Sequence, residues 1–550
     1  MKEQSPWSAS HWGAAVAIGV GLCAAVMGAS WFRLGAELPG YFNDDWSNGI
    51  YLHHQVHAAL VDGRFDLSDP NQFFPFGYNP VHTNGGNILE MLVSGLCRWV
   101  FAWPLWLSVA ALAWIPLNLL AFVPLGRRLW RRPSTVLAAS ATWAIFPPVL
   151  EQIGAGRLTQ AALVGVPLMF AGLLDVADPK RACRGGLAAF GWILVGLGYW
   201  YNAFFLGLLM PVAWWGLRTP GHGKTLALAF CRVGGLALLG VAPFLTVVFW
   251  PWLSGDGMPG SHIDPTQMSL VFPDALRLVG GQGRGMANWL PFSMGIGALL
   301  FVRWGRRRTL WGGLALLTVV FSMGPGQAIG GSVYPFPYWV LWKVVPGLAG
   351  MFHPDRWMLL AGLFLTVASV EGVVRKWPAA VWLIPLGVVV QLWVRGVAPL
   401  GTWAPAVPEH WTALANDPEP GAVIVVPMHQ GQLASQFQRV HGRPLLGGMI
   451  EDQPWRHPAP WKSYVNGNDF LLSVKAISYG RDVSVVLDAA SLIQLREDGF
   501  TRIVYDHSSW LNSPRRTEHR PDAKLRTALG SPLFESQTGA VWALPNPTTE

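Results

Sequence analysis

The chain has 550 residues, of which 52% are hydrophobic and only 13% are charged, whereas soluble domains carry about 25% charged residues. Its 31 tryptophans suit a membrane–water interface, and together these values predict a polytopic membrane protein. The net charge of +8 does not indicate nucleic acid, because the excess of Lys and Arg falls in short loops between apolar runs rather than in one basic patch.

Eleven apolar runs are candidates for membrane-spanning helices, since a span needs about 20 apolar residues. They are 12–32, 105–126, 134–150, 161–177, 185–199, 202–217, 226–252, 289–302, 310–329, 357–374 and 378–394. A further apolar run, 87–103, carries Glu90 and Arg98. We predict that this run is an interfacial helix on the outer side of the membrane.

The positions of the basic residues select a topology. With eleven spans and a cytoplasmic N-terminus, every loop cluster of Lys and Arg lies inside, as the positive-inside rule requires. This count holds only if "GYWYN" (198–202) separates two spans instead of lying within one long helix. The outer segments are then 33–86, 254–288 and 330–356, and the region from residue 400 onwards also lies outside the cytoplasm.

The last part of the chain predicts a separate, small α/β domain. Short β-branched runs bounded by Gly or Pro indicate strands, and an apolar-periodic run that ends at a glycine indicates a helix. The predicted strands are 421–428, 500–506 and 539–545, and the predicted helix is 488–499. The sequence therefore predicts a membrane-spanning domain over 1–399 and an extracytoplasmic α/β domain over 400–550.

Two adjacent acids, Asp44 and Asp45, follow the first span in "FNDDW". An acid at a helix start accepts hydrogen bonds from free N–H groups and meets the positive end of the helix dipole. We predict that Asp45 caps the helix that follows, and that Asp44 faces a cavity at the membrane surface. The alternative is that the pair has only a structural role.

The next motif, "HHQVH", places His53 and His57 at the i, i+4 spacing of zinc ligands. No third ligand is evident, so a solvated or headgroup-facing helix surface is the favoured interpretation. Asp44, His53 and His57 remain the only weak candidates for a metal site.

Aromatic residues crowd the turn-rich segment "NQFFPFGYNPVHTNGG" (71–86). Phe76 and Tyr78 either rest on lipid headgroups or form a wall of a lipid or sugar site, because amphipathic rings suit both. In the glycine-rich outer loop, His262 is a further candidate for contact with an acceptor or lipid.

Cationic groups lie at two further outer positions. "GMFHPDRWM" places His353 and Arg356 at a helix entry, and "LEQIGAGRLT" places Arg157 at an outer turn. Arg356 either extends to phosphates only to anchor the span, or binds the phosphate of a lipid substrate with its planar guanidinium.

These features together resemble the GT-C superfamily of membrane glycosyltransferases, which use polyprenyl-phosphate-linked sugars. The resemblance lies in the acidic pair of "FNDDW", the long first outer loop, "FFPFGYNP", the "HPDRW" helix entry and the domain after the last span. Asp45 departs from the pattern, because many relatives have Glu there. No sequon-recognising motif such as WWD is present, which counts against an oligosaccharyltransferase.

The resemblance implies an enzyme of the bacterial inner membrane that transfers a hexose or pentose to an extracytoplasmic glycan, lipid or protein. It implies that Asp44 is the base or metal contact, and that outer-loop cations bind the donor phosphate. The chemistry is compatible with Mg²⁺ or Mn²⁺ and does not require either. The alternatives are a transporter of lipid-linked glycans, which would need charged residues through its spans, and a non-catalytic scaffold for cell-envelope assembly.

Overall fold

The structure is a computed structural model that describes residues 7–63, 68–79, 87–178, 185–219, 221–253, 290–305, 307–329, 332–345, 348, 353–449, 451, 457–511 and 517–545. The chain forms two compact units. The first comprises Met1–Tyr41, Asn87–Phe249 and Gly260–Ala404, and the second comprises Phe42–Gly86, Trp250–Pro259 and Pro405–Glu550. Residues 42–86, which the sequence analysis grouped with the membrane-spanning part, thus belong to the same unit as the C-terminal residues.

Helices dominate the chain up to residue 400. In chain order they are α1 (Ala9–Met27), α2 (Asp44–Val61), α3 (Ile88–Val100), α4 (Leu105–Leu129), α5 (Pro133–Ala144), α6 (Pro147–Gly154), α7 (Leu158–Ala161), α8 (Gly165–Val176), α9 (Gly186–Gly198), α10 (Trp200–Leu217), α11 (Gly223–Leu253), α12 (Phe292–Trp304), α13 (Arg308–Ser322), α14 (Tyr338–Val344), α15 (Trp357–Lys376) and α16 (Leu383–Val394). Short strands β1 (Leu38–Pro39), β2 (Gly326–Ile329), β3 (Ser332–Pro335) and β4 (Thr402–Trp403) lie among them.

Every predicted span overlaps a helix or a pair of helices, but several of these helices are short. In the described part of the chain, the helices long and apolar enough to cross a membrane are Ala9–Arg33, Leu105–Leu129, Leu158–Val176, Gly223–Thr246 and Pro354–Lys376. The pair α5 and α6, bent by 43°, would add a sixth span. Helix α9 has 13 residues and rises only about 20 Å, less than the ~30 Å of a bilayer core. The structure therefore supports a multi-pass protein and does not confirm eleven full spans.

One predicted span ends early. The apolar run predicts a helix over 310–329, whereas α13 ends at Ser322. The chain turns at Gly324, where φ is +84°, and the residues after Pro325 form the antiparallel hairpin β2–β3. Glycine and proline account for this difference, because neither continues a helix and only glycine takes this φ freely.

The predicted break at "GYWYN" is present. Helices α9 and α10 form an antiparallel hairpin, in which the indole N–H of Trp192 donates to the Ala203 carbonyl over 3.0 Å. Gly196 faces Ala203, and Gly207 faces Trp192. Tyr199 links the two helices in an extended conformation, with φ −145° and ψ 102°. The chain therefore reverses direction at Tyr199, as the distribution of basic residues predicts.

Basic residues gather at one end of the first unit. The guanidinium of Arg128 pairs with Asp175, with 2.8 Å between Nε and Oδ1. The indole of Trp130 donates to Glu371 over 2.8 Å, and Lys376 lies 4.5 Å from the ring of Trp304. These contacts place the ends of α4, α8, α12 and α15 together. The positive-inside prediction requires this arrangement.

Helix α3 has the two-faced surface expected of an interfacial helix. Leu92, Leu96 and Trp99 are exposed along one side, whereas Glu90 and Ser94 are buried on the other. The exposed positions recur at i, i+4 and i+7, so they form one apolar stripe. This arrangement supports the interfacial interpretation over a spanning one.

The second unit contains a four-stranded sheet in the order β5–β6–β8–β7, formed by β5 (Ala422–Val426), β6 (Phe500–Asp506), β7 (Phe534–Ser536) and β8 (Gly539–Ala543). Strands β5 and β6 are parallel, and the other pairs are antiparallel. The strands predicted from the sequence are present. Helices α17 (Glu409–Asn416), α18 (Gly431–Ser435), α19 (Gln438–His441), α20 (Ala459–Gly467), α21 (Asp469–Ser478), α22 (Ala489–Glu497), α23 (His507–Leu511) and α24 (Pro521–Leu529) complete this part of the chain.

The segment around Asn71 extends this sheet beyond β5. Residues 444–446 run beside β5, with the Val423 N–H donating to the Pro444 carbonyl over 2.8 Å. On the far side of 444–446, the Leu445 N–H donates to the Asn71 carbonyl over 2.8 Å, and the Phe74 N–H donates to the Leu445 carbonyl over 3.0 Å. A piece of the first loop therefore covers backbone groups that an edge would otherwise expose.

Candidate active site

Arg356 lies against two tyrosine rings in the first unit. Its guanidinium carbon is 5.1 Å from the ring centre of Tyr199 and 5.4 Å from that of Tyr201. Such distances allow cation–π attraction, which orients a guanidinium. A cation oriented in this way is suited to an anionic ligand.

Aromatic packing fixes the helix that carries Arg356. The ring of Trp357, the first residue of α15, stacks on Phe205 of α10 with 4.1 Å between centroids and 15° between planes. Phe321 and Tyr338 also lie against Trp357, at 5.2 Å and 6.5 Å. Arg356 therefore projects from a rigid helix start. The partial positive charge of that helix end adds to its own charge.

The same region includes the turn that carries Arg157. The hydroxyl of Thr159, two residues further on, donates to the carbonyl of Gly198, which precedes Tyr199. Since Tyr199 in turn contacts Arg356, the structure brings together the two outer segments that the sequence analysis named for their cations. His353 lies on the same helix entry, with 3.6 Å between its Nδ1 and Oδ1 of Asp355.

The acidic pair begins helix α2 in the second unit. Asn43 caps this helix, because its side-chain Oδ1 accepts a hydrogen bond from the Trp46 N–H over 2.9 Å. The prediction that Asp45 is the cap is therefore wrong. Asp44 and Asp45 occupy the first turn of α2, and the helix dipole favours acidic residues in a first turn. Asp45 is half-buried, and the side chain of Asp44 lies outside the described part of the structure.

A buried phenol–carboxylate pair joins α2 to the aromatic segment. The Tyr51 hydroxyl donates to Asp69, and Asp69 also accepts from the Asn71 N–H over 2.9 Å. Burial first, and then the Asp69 carboxylate, raise the pKa of Tyr51 well above its usual value. Tyr51 therefore stays a neutral donor, and the contact holds residues 69–71 to the helix.

The aromatic residues of the first loop pack into the second unit. Phe73 is fully buried, and its ring contacts Tyr78 at 5.4 Å and Trp461 at 5.4 Å. Tyr78 is also buried, whereas Phe76 is exposed and makes an edge contact with Tyr464 at 5.5 Å. Of the two aromatic residues predicted to contact acceptor or lipid, Phe76 is therefore the one on the surface.

The two histidines that were weak candidates for a metal site lie on α2. His53 is buried and His57 is half-buried on α2. Among the described residues, no group of three or more His, Cys, Asp or Glu side chains could hold a metal ion. His262 lies outside the described residues.

Sequence reasoning missed two polar residues. Asn202 lies in the first turn of α10, and only 1% of its surface is exposed. Gln436 follows α18, and its side chain bonds to Ser47 of α2 over 3.1 Å. A polar residue within an apolar run was the available signal for Asn202. No local pattern could indicate the contact between Gln436 and Ser47.

No protein-family profile matches the chain, and no curated protein matches its sequence. Solved structures do share its fold. The arabinofuranosyltransferase AftD from Mycobacteria is 15% identical with a TM-score of 0.58, and the match covers 99% of this chain and 42% of AftD. ArnT from Cupriavidus metallidurans in the apo state is 13% identical with a TM-score of 0.55, covering 98% of this chain and 99% of ArnT.

The archaeal oligosaccharyltransferase AglB from Archaeoglobus fulgidus, in complex with an inhibitory peptide and a dolichol-phosphate, also shares the fold. It is 12% identical with a TM-score of 0.51, covering 90% of this chain and 69% of AglB. The resemblance to the GT-C superfamily is thus confirmed as a resemblance of fold. The chain spans less than half the length of AftD.

Proposed function

We propose that the protein is a membrane glycosyltransferase that moves a sugar from a polyprenyl-phosphate-linked donor to an acceptor outside the cytoplasm. The observation that carries this proposal is the position of Arg356 over Tyr199 and Tyr201, at a helix start in a chain with the GT-C fold. The dolichol-phosphate of the AglB complex supports a lipid-phosphate donor.

In this proposal Arg356 binds the donor phosphate, and His353 and Arg157 supply further positive charge or hydrogen bonds. A guanidinium can donate two parallel hydrogen bonds to phosphate oxygens, and it remains charged at all physiological pH values. When the glycosidic bond breaks, negative charge grows on the departing phosphate. A fixed cation at that point lowers the barrier to transfer.

An acid of the pair Asp44 and Asp45 takes the proton of the acceptor hydroxyl. A hydroxyl is a poor nucleophile, and a carboxylate that removes its proton during attack accelerates transfer by about 10²–10⁴-fold. Because Asn43 caps α2, neither acid is needed as the cap, and both remain candidates. A divalent metal, if the enzyme uses one, would bind the carboxylates of this pair and supply positive charge there.

The acceptor and membrane lipid are proposed to contact Phe76 and His262. The protein is proposed to lie in the bacterial inner membrane, with residues from 400 onwards outside the cytoplasm. The short Lys- and Arg-rich loops support this orientation.

The test uses purified full-length protein in nanodiscs with a panel of radiolabelled undecaprenyl-phosphate hexoses and pentoses. Release of undecaprenyl phosphate, dependent on an acceptor extract of the cell envelope, is the expected result. The matched control is Arg356→Ala, which should abolish release. In a parallel assay with the protein reconstituted in vesicles, transport of the labelled lipids between leaflets without any release would support a transporter and overturn the proposal.

A further inference from the structure

Asn202 is a buried amide whose hydrogen-bonding capacity is unused within the described part of the chain. Neither its Nδ2 nor its Oδ1 has a hydrogen-bond partner among the described residues, although the side chain is almost completely buried. Leaving such a group unpaired is destabilising. The Asn202 amide therefore lowers the stability of the fold, and a bound ligand that forms hydrogen bonds with the amide could offset this loss.

The position of Asn202 on α10 places this residue near the start of α15. Tyr199, three residues earlier, contacts Arg356, and Phe205, three residues later, stacks on Trp357. Asn202 and Phe205 are three residues apart on α10 and so lie on one side of the helix, and the backbone N–H of Asn202 donates to the Tyr199 carbonyl over 3.0 Å. Asn202 therefore lies between two contacts with the helix entry that carries the proposed phosphate-binding cation.

A second polar group without a hydrogen-bond partner among the described residues belongs to Tyr199, three residues before Asn202. This group is the buried hydroxyl of the Tyr199 side chain. The Tyr199 ring also contacts Arg356 and Tyr201, and 5.0 Å separates the ring centres of Tyr199 and Tyr201. The site thus combines one cation with two neutral polar groups.

The chemistry of these two groups selects the ligand class. A phosphate at neutral pH offers acceptors only, so it could pair with the Asn202 amide N–H but not with its carbonyl oxygen. A sugar hydroxyl donates and accepts, and can satisfy both atoms of the amide. It can likewise pair with a phenol, which also donates and accepts.

We propose that the side chains of Asn202 and Tyr199 bind hydroxyl groups of the donor's glycosyl group, while Arg356 binds its phosphate. The inference rests on the proposed function, because it assumes a lipid-phosphate sugar as the donor. It assigns sugar selection to the turn between α9 and α10. A site built for hydroxyl groups discriminates strongly against a ligand that lacks them.

The experiment measures binding by full-length protein in nanodiscs. The probes are undecaprenyl phosphate and the undecaprenyl-phosphate monosaccharides of the panel described above. The variants are Asn202→Leu, which removes both polar atoms, and Tyr199→Phe, which removes the hydroxyl but keeps the ring against Arg356. Phe205→Leu is the matched control, because it alters packing on Trp357 without removing a polar group.

For the glycosylated lipid that binds wild type most tightly, Asn202→Leu should raise Kd by about 10-fold or more and Tyr199→Phe by several-fold. Both variants should leave the Kd for undecaprenyl phosphate within about twofold of the wild-type value. Phe205→Leu should change the Kd values for the glycosylated lipid and for undecaprenyl phosphate by the same factor. Equal weakening of both ligands, or no change for either, would overturn the inference while leaving the proposed function intact. If wild type binds none of the lipids, both the inference and the proposed function fail.

Discussion

The side chain of Gln436 donates a hydrogen bond from Nε2 to the hydroxyl of Ser47, 3.1 Å away, and both residues are buried. Ser47 lies one turn beyond Asn43, and the Ser47 N–H donates to the Asn43 carbonyl over 3.2 Å. The start of α2, which carries the acidic pair, is therefore held by residues from the C-terminal part of the chain.

Replacing Gln436 should loosen this attachment. Gln436→Leu leaves the buried Ser47 hydroxyl without its donor, and we expect a loss of about 1–3 kcal/mol in the free energy of unfolding of the second unit. Limited proteolysis during a thermal ramp measures the change. Gln537→Leu, at an exposed glutamine of the same unit, should stay within about 0.5 kcal/mol of wild type. Equal effects of the two substitutions would show that the bond to Ser47 contributes nothing specific.

Removing the helix cap should lower the stability of the protein and leave its donor turnover nearly unchanged. Asn43→Ala takes away the acceptor of the Trp46 N–H and should cost about 0.5–2 kcal/mol of stability. Both acids remain in this variant, so turnover per folded molecule should change by less than about fivefold. Melting curves and donor turnover, measured on the same preparation, check the two expectations together.

Asp44→Asn should lower donor turnover at least about 100-fold, because it removes the proposed base while preserving side-chain shape. Its melting temperature should stay near that of wild type, since Asn43 provides the cap. Asp45→Asn is the matched variant at the neighbouring acid. If Asp45→Asn abolishes turnover and Asp44→Asn does not, the base is Asp45. If both variants retain full turnover, neither acid is the base.

Arg356→Lys tests the phosphate contact. Lysine keeps the positive charge but loses the planar group that lies over Tyr199 and Tyr201, so we expect at least a ~10-fold rise in KM for the lipid donor. The expected change in kcat is smaller. Arg218→Lys is the control, because Arg218 lies 3.3 Å from the ring centre of Trp215, in another loop of the same unit. A similar rise in KM for both variants would argue against phosphate binding by Arg356.

His441 should make the second unit sensitive to acid. Its ring stacks on Trp411 at 5.2 Å, and its Nδ1 accepts from the Arg443 N–H over 3.0 Å. Burial, with help from the Arg443 charge, lowers the pKa of His441 from 6.5 to about 3. The folded pKa lies below the unfolded one, so this stability is fully present above pH 6.5 and is lost as the pH falls towards 3.

The measurement for His441 is the free energy of unfolding as a function of pH. Wild type should lose stability by up to about 1.4 kcal/mol per pH unit from this residue over that range. His441→Asn loses the stack on Trp411 and should be the less stable protein at pH 7.5. Its deficit should shrink or reverse by pH 4. Parallel pH profiles for the two proteins would rule out this role for His441.

The sequence predicted helix positions well, because apolar runs and basic loops are local signals. The break at Tyr199 followed from the parity of the basic clusters, and the strands at 421–428 and 500–506 followed from composition. The cap of α2 was missed by two positions, because Asn43 and Asp45 are both good capping residues and pattern alone does not choose between them. That the Asn202 amide has no hydrogen-bond partner among the described residues depends on packing that no local pattern contains.

The sheet edge formed by the first loop cannot form until the C-terminal part of the chain has been synthesised. Gln72 accepts a hydrogen bond from the Met449 N–H over 2.8 Å, and 377 residues separate the two in sequence. Ribosomes add about 5–20 residues per second, so Gln72 is synthesised roughly 20–75 s before its partner. During that interval the ring of Phe73 has no Trp461 to pack against. A chaperone that lies in the same compartment as the first loop, and binds that loop until translation ends, would therefore raise the yield of folded protein.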